Sequence, residues 1–222
     1  MMNIQPSHRP HAVGAASTFT SQILADTAPE HTALEATPFM RAVAERRLPR
    51  DRYVAMLLGY TRIHRALERA LASSSEPSVR ALFREEMRKL PLLERDIRFL
   101  CGGSVPELAS ALSPEAVRAV EALVRDIEEA AEHEPLALLG YLFVTEGSTL
   151  GGIALRRHFG AAYGLTEDGL RFYSAYPEPF AHWRRFKREM EATIVTRDAQ
   201  AIVAAAAKAA FRRFHAVFAA LA

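Results

Sequence analysis

The chain predicts an all-α fold, and three observations carry that prediction. Ala, Leu, Arg and Glu dominate its 222 residues, alternating strand-like runs are scarce, and apolar residues recur at helical spacing over long stretches. Hydrophobic residues make up 50% of the chain and charged residues 24%, enough apolar matter for one sizeable core. A formal net charge of only +2 gives no ground for nucleic acid as a partner. The single cysteine, Cys101, excludes an internal disulfide and fits a reducing compartment.

Each element has its own signal. Residues 1–17 are polar, carry Pro6, His8, Pro10 and His11, and lack the apolar stretch of a signal peptide; they read as a flexible leader ahead of one helical domain over 18–222. A first helix spans 18–35, kinked or divided at Pro29. A short helix follows over 38–46, with a turn at 47–50. A long helix over 51–72 places Leu57, Tyr60, His64, Leu67 and Leu71 on one face. Helices are expected over 78–90 and 92–100, parted by Pro91, with a break at Gly102 and Gly103. Ser113 as N-cap and Pro114 at the first helical position open a helix to about residue 132. The next helix runs from 135 to about 163, with Gly164 as its C-cap. Residues 166–179 read as irregular, and helices over 180–194 and 196–221 close the chain. No uninterrupted apolar run reaches a membrane span: 136–144 is broken by Gly140 and followed by Glu146. A cytoplasmic chain with no membrane partner is the expectation.

The helix over 135–163 carries the most informative feature. Gly costs about 1 kcal/mol relative to Ala inside a helix, so Gly147, Gly151 and Gly152 need a reason. Gly147 and Gly151 lie about 40° apart on one face, with Gly140 about 20° from Gly147. They form a strip without side chains, flanked by Ser148 and Thr149, that admits either another helix or a flat ligand.

Other candidates are weaker alone. His31 has Glu35 four residues on, one helical turn away, where a carboxylate can orient a metal-ligating imidazole; a plain surface pair has the same spacing. His64 lies within an apolar stripe, as a core histidine or a group in a polar pocket. Arg184, Lys187 and Arg188 make a basic face suited to solvent or to carboxylates. His182 and His215 read as packing or surface residues, and Phe211, Phe214 and Phe218 as a core stripe. No HExxH, paired ExxH or CxxC motif is present.

Taken in order, these pieces resemble the haem oxygenase family, bacterial type, across 18–221. His31 to Glu35 followed by Phe39 and Met40 resembles the proximal segment, whose histidine ligates haem iron. The run Glu146-Gly-Ser-Thr-Leu-Gly-Gly152 resembles the distal helix. The helix with Lys187 and Met190 resembles the one that meets haem propionates, and Phe211 and Phe218 fit the closing helix.

The resemblance implies a helical bundle with haem, both substrate and cofactor, between a proximal and a kinked distal helix. It implies His31 on the iron, Glu35, Phe39, Met40, Gly152, Lys187 and Phe211 around the haem, and Gly147, Ser148, Gly151 and His64 on the catalytic side. Dioxygen and an external electron donor, a ferredoxin or a reductase, would open the ring to biliverdin, carbon monoxide and ferrous iron. Iron acquisition or chromophore supply to a bilin photoreceptor are the implied roles. Animal-type members carry an Asp where this chain has Ser148, and a tyrosine where it has His64. A non-catalytic haem-binding or storage protein on the same fold, or a helical interaction module, are the alternatives.

Overall fold

The computed structural model describes residues 18–222; the expected leader, 1–17, lies outside them. Among the described residues the chain is helical throughout, with no strand. The α-helices are α1 (Phe19–Glu35), α2 (Pro38–Ala44), α3 (Arg50–Ser73), α4 (Pro77–Leu82), α5 (Leu90–Leu100), α6 (Leu108–Ala111), α7 (Pro114–His133), α8 (Leu138–Tyr163), α9 (Pro179–Thr193) and α10 (Arg197–Ala220). Short 3-10 turns fall at Glu85–Met87, Pro135–Ala137 and Arg171–Ser174.

Local chemistry sets most of the boundaries. Thr18, Thr37, Ser113 and Thr196 each cap a helix by accepting a backbone N–H through the side chain, satisfying donors the first turn leaves free. Gly164 ends α8 with φ of 66°, a left-handed conformation that suits glycine. Pro29 lies inside α1 without dividing it.

Two expectations are corrected and one element is added. The break expected at Pro91 falls earlier, over 83–89, because Pro91 sits in the first turn of α5, where its missing N–H costs nothing. Residues 166–179 hold a 3-10 turn rather than being wholly irregular: buried Asp96 accepts the backbone N–H of Arg171 and Phe172 at 2.9 and 2.8 Å. The short α6 carries no buried residue and so no pattern to read.

The core is built around α3, α7, α8 and α10. Helix α8 has an 18-residue stretch of mean hydropathy 1.3, enough by length and composition for a membrane span. Its side chains from Leu138 to Glu146 are nevertheless all enclosed by the bundle, which identifies a core helix. Helices α1 and α8 both pack on α9 and α10 rather than on each other. Two backbone N–H groups at the start of α1, from Phe19 and Thr20, donate to the Glu191 carboxylate of α9 at 3.1 and 2.7 Å. This contact fixes α1, and with it His31, relative to the wall shared with α8.

Candidate functional site

The four glycines of interest on α8 meet four different surroundings. A Cβ on Gly140 would fall 2.5 Å from the Ala207 backbone nitrogen and 2.6 Å from Ala206 Cβ, so this glycine exists for helix packing against α10. A Cβ on Gly147 would lie 3.3 Å from the Trp183 indole, and one on Gly152 would lie 3.5 Å from the Tyr173 ring. A Cβ on Gly151 would have nothing within 4 Å. The strip seen in the sequence therefore divides: a helix covers Gly140, an indole covers Gly147, and Gly151 is open.

Helix α1 shows a complementary face. Leu24, Ala28, His31 and Glu35 share one side of the helix and all are exposed, Leu24 at 43%. The His31 side chain is 55% exposed; its Nδ1 lies 3.6 Å from Glu35, beyond hydrogen-bond reach but close enough to orient. Its ring meets Phe211 of α10 edge-on at 5.7 Å. An exposed leucine and an accessible imidazole on one face suit an apolar ligand that takes a nitrogen donor.

The structure brings His31, Glu35 and Phe211 together and sets Gly147, Ser148, Gly151 and Gly152 along α8. Ser148 and Gly152 line a cavity of about 50 Å³ together with Tyr60, Thr149, Leu155, Phe172, Tyr173 and Tyr176. Ser148 donates its hydroxyl to the Thr145 carbonyl at 2.7 Å, leaving its oxygen free to accept. His64 does not line this cavity. It lies behind Tyr60 and Phe172, edge-on to both, with Nδ1 3.5 Å from the buried Glu68 carboxylate. Phe39 is in the core against Phe218, ring centroids 5.3 Å apart, and Met40 is half-buried beside it. Lys187 places its ammonium 5.6 Å from the Trp183 ring centre.

One cluster escaped the sequence reading. The buried Glu146 carboxylate, 1% exposed, accepts from Lys89 Nζ at 2.8 Å and from the Tyr176 hydroxyl at 2.6 Å, and lies 2.6 Å from His182 Nε2. Burial alone would push this acid up, but the Lys89 charge and the hydrogen bonds outweigh it and hold the group at about 2. His182, expected at the surface or in simple packing, is instead a member of this ion cluster. A lysine two residues before Pro91 and a glutamate inside an apolar run were the signals available, and neither names its partner.

The helical shell carries an accessible imidazole on α1 and a bare backbone position on α8. The Heme oxygenase family model matches residues 17–220, and the chain belongs to that family. It is 27% identical over 184 residues to a heme oxygenase of Xanthomonas campestris pv. campestris, covering 82% of this chain and 97% of that one. The heme oxygenase of Leptospira interrogans superposes with a TM-score of 0.80 at 19% identity, over 91% of this chain and 98% of the other. Heme oxygenase-1 of Synechocystis, solved in complex with heme, gives 0.80 at 19% identity over 90% of each chain. The protein is an all-α haem oxygenase.

The described residues contain no group of three or more His, Cys, Asp or Glu side chains able to hold a bare ion. A half-exposed imidazole suits a metal that arrives with its other ligands already attached, as haem iron does. The residues present fit the group.

Proposed function

We propose that the chain holds haem between α1 and α8, with His31 as the axial ligand of the iron, and degrades it to biliverdin, carbon monoxide and ferrous iron. What supports this reading is that the His31 ring on α1 is accessible and the backbone at Gly151 on α8 is open. Once bound, the haem supplies the redox chemistry and is itself the substrate.

The chain's own residues bind, orient and exclude. His31 offers a nitrogen, and Glu35 one turn on favours the tautomer that leaves it free. Leu24 and Phe211 give apolar cover on the α1 side, with Phe39 and Met40 supporting them from α2. Gly151 leaves the α8 backbone bare where a side chain would intrude, while Gly147 and Gly152 make room for the Trp183 and Tyr173 rings beside it. Lys187, its ammonium 5.6 Å from the Trp183 ring centre, would supply the cation for a propionate. Ser148 cannot act as an acid at neutral pH, but its free lone pairs can hold water in the adjoining cavity, with His64 set behind Tyr60. Dioxygen and electrons come from outside the chain, the electrons from a ferredoxin or a reductase. We place the reaction in the cytoplasm, serving iron acquisition or chromophore supply to a bilin photoreceptor.

Haemin titration followed by visible spectroscopy tests this. The parent chain should give a Soret band at one equivalent and, with reductant, evolve to the spectrum of biliverdin. His31→Ala should weaken binding by about tenfold or more and lose or shift the band, as losing the metal ligand itself predicts. A His31→Ala chain that binds and degrades haem like the parent would overturn the ligand assignment.

A further inference from the structure

The Glu146 cluster has no part in that reading, yet it sits one residue before Gly147. Its members come from four places in the chain: Lys89 at the start of α5, Glu146 on α8, Tyr176 on the segment after the 3-10 turn, and His182 on α9. Lys89 Nζ donates to Glu146, to Tyr176 at 2.6 Å and to the Met87 carbonyl at 2.9 Å, while the Lys89 backbone N–H donates to Glu68 at 2.7 Å. The Tyr176 and His182 rings stack at 3.6 Å. Every hydrogen of the ammonium is used. A buried ion pair is often no more stabilising than apolar side chains of the same volume, so this one calls for a use other than stability.

Its placement supplies one. Contacts between α8 and α9 run in register: Glu146 holds His182, and the next residue on each helix brings Gly147 against Trp183. The indole is pinned between Phe143 and Phe186, with centroids at 4.9 and 5.8 Å. On its other side Glu146 fixes the hydroxyl of Tyr176, whose ring lines the cavity shared by Ser148, Tyr60 and Tyr173. The Tyr173 hydroxyl in that wall is buried with no protein partner. The cavity is mostly apolar but edged by hydroxyl groups, large enough for water, and walled on one side by a tyrosine whose hydroxyl Glu146 holds. Glu146 stays ionised down to about pH 2, so it holds groups in place and does not itself supply protons at neutral pH.

We propose that Glu146 is a positioning residue for the α8 face of the haem site. It anchors Tyr176 as a wall of the hydroxyl-edged cavity beside Ser148, and through His182 it holds the Trp183 indole over Gly147. The proposal rests on haem binding against α8, as proposed above.

Trp183 is the chain's single tryptophan, which gives a readout free of haem. Acrylamide quenching of its fluorescence in the full-length apo chain should rise about twofold or more in Glu146→Gln, as expected of a locally loosened contact. In the ferric haemin complex, the pH midpoint of the visible spectrum should move by about one unit in Glu146→Gln, the size expected for losing a charge-assisted hydrogen bond. Tyr176→Phe, which keeps the ring stack and removes only the hydroxyl, should reproduce that spectral shift; it also leaves one buried Lys89 ammonium hydrogen unpaired, so its melting temperature should fall by a few degrees. The double variant should add nothing to the larger single effect, because both act through one hydroxyl.

Parent-like quenching in Glu146→Gln, or spectral shifts that add in full in the double variant, would overturn the proposal. Should Glu146→Gln fail to fold, an unmoved spectral midpoint in Tyr176→Phe overturns it alone. A parent chain that binds no haemin removes the functional reading instead, and the quenching comparison still decides whether Glu146 holds the wall.

Discussion

The two halves of α8 share one helix and one unusual residue type, and use it for opposite purposes. From Leu138 to Glu146 every side chain is buried, and Gly140 lets α10 approach to a distance no Cβ would tolerate. From Gly147 onward the helix emerges: Ser148, Gly151, Ile153 and Ala154 are exposed, and Gly151 faces open space. Glycine in the first half is filled by the backbone of α10; in the second half side chains cover Gly147 and Gly152, and Gly151 is left open. A bare helical strip is therefore a statement about close approach only, and its neighbour has to be established one residue at a time.

Glu146 stands at the boundary, and breaking its pairing should give the largest effect. Lys89→Met leaves a fully buried carboxylate without its cation and should destabilise the fold by about 3 kcal/mol at pH 7, measured by urea unfolding. The parent should show the matching acid dependence. Because the folded-state value of about 2 lies below the ordinary 4.5, the stabilisation is fully present above about pH 4.5 and is lost as pH falls towards 2. Glu146→Gln should flatten that part of the curve. An unchanged slope between pH 5 and pH 2 would show that the cluster is not the acid-sensitive element.

The buried half has a test of its own. Gly140→Ala gains the helix propensity of alanine, about 1 kcal/mol. It also drives a methyl group into the α10 backbone at Ala207 and Val203. Backbone cannot swing aside as a flexible side chain can, so overpacking wins and the net loss should be about 2 kcal/mol. Differential scanning calorimetry should show the melting temperature fall by several degrees. A variant as stable as the parent would mean that α8 and α10 can separate, and the contrast between the two halves would dissolve.

Legibility followed the same division. Helices with caps and amphipathic stripes could be read because one residue announces each event: Ser113 and Thr196 open α7 and α10, and Gly164 closes α8. The break over 83–89 was misplaced because a proline in a first turn and a proline after a last turn look alike in sequence. At the site, His31, Glu35 and the glycines of α8 were visible through local spacing and family resemblance. What spacing could not show is pairing across the fold. Lys89 and Glu146 are separated by 57 positions, and nothing local to either predicts that they meet. The same holds for Trp183, which reads as part of a basic, aromatic helix and turns out to cover Gly147. The strip was legible as an absence of side chains, whereas its occupants come from α9, α10 and the 3-10 turn at Arg171–Ser174.

The open half yields the smallest effect on stability and the sharpest contrast. A methyl group on Gly151 meets nothing within 4 Å, so Gly151→Ala carries the propensity gain with no packing penalty. It should stabilise the apo chain by about 1 kcal/mol, opposite in sign to Gly140→Ala on the same helix. A residue kept at a cost in stability, where the larger one fits, points to a use in the bound state. Under the proposed function the added methyl occupies the space left for the haem face, so haemin affinity or turnover should fall while the melting temperature rises. Thermal unfolding of the apo chain and haemin titration, measured on the same preparation, separate the two effects. If Gly151→Ala melts higher and turns over haem at the parent rate, then the bare backbone at 151 is not what admits the ligand, and Gly147 beneath the Trp183 indole becomes the position to examine.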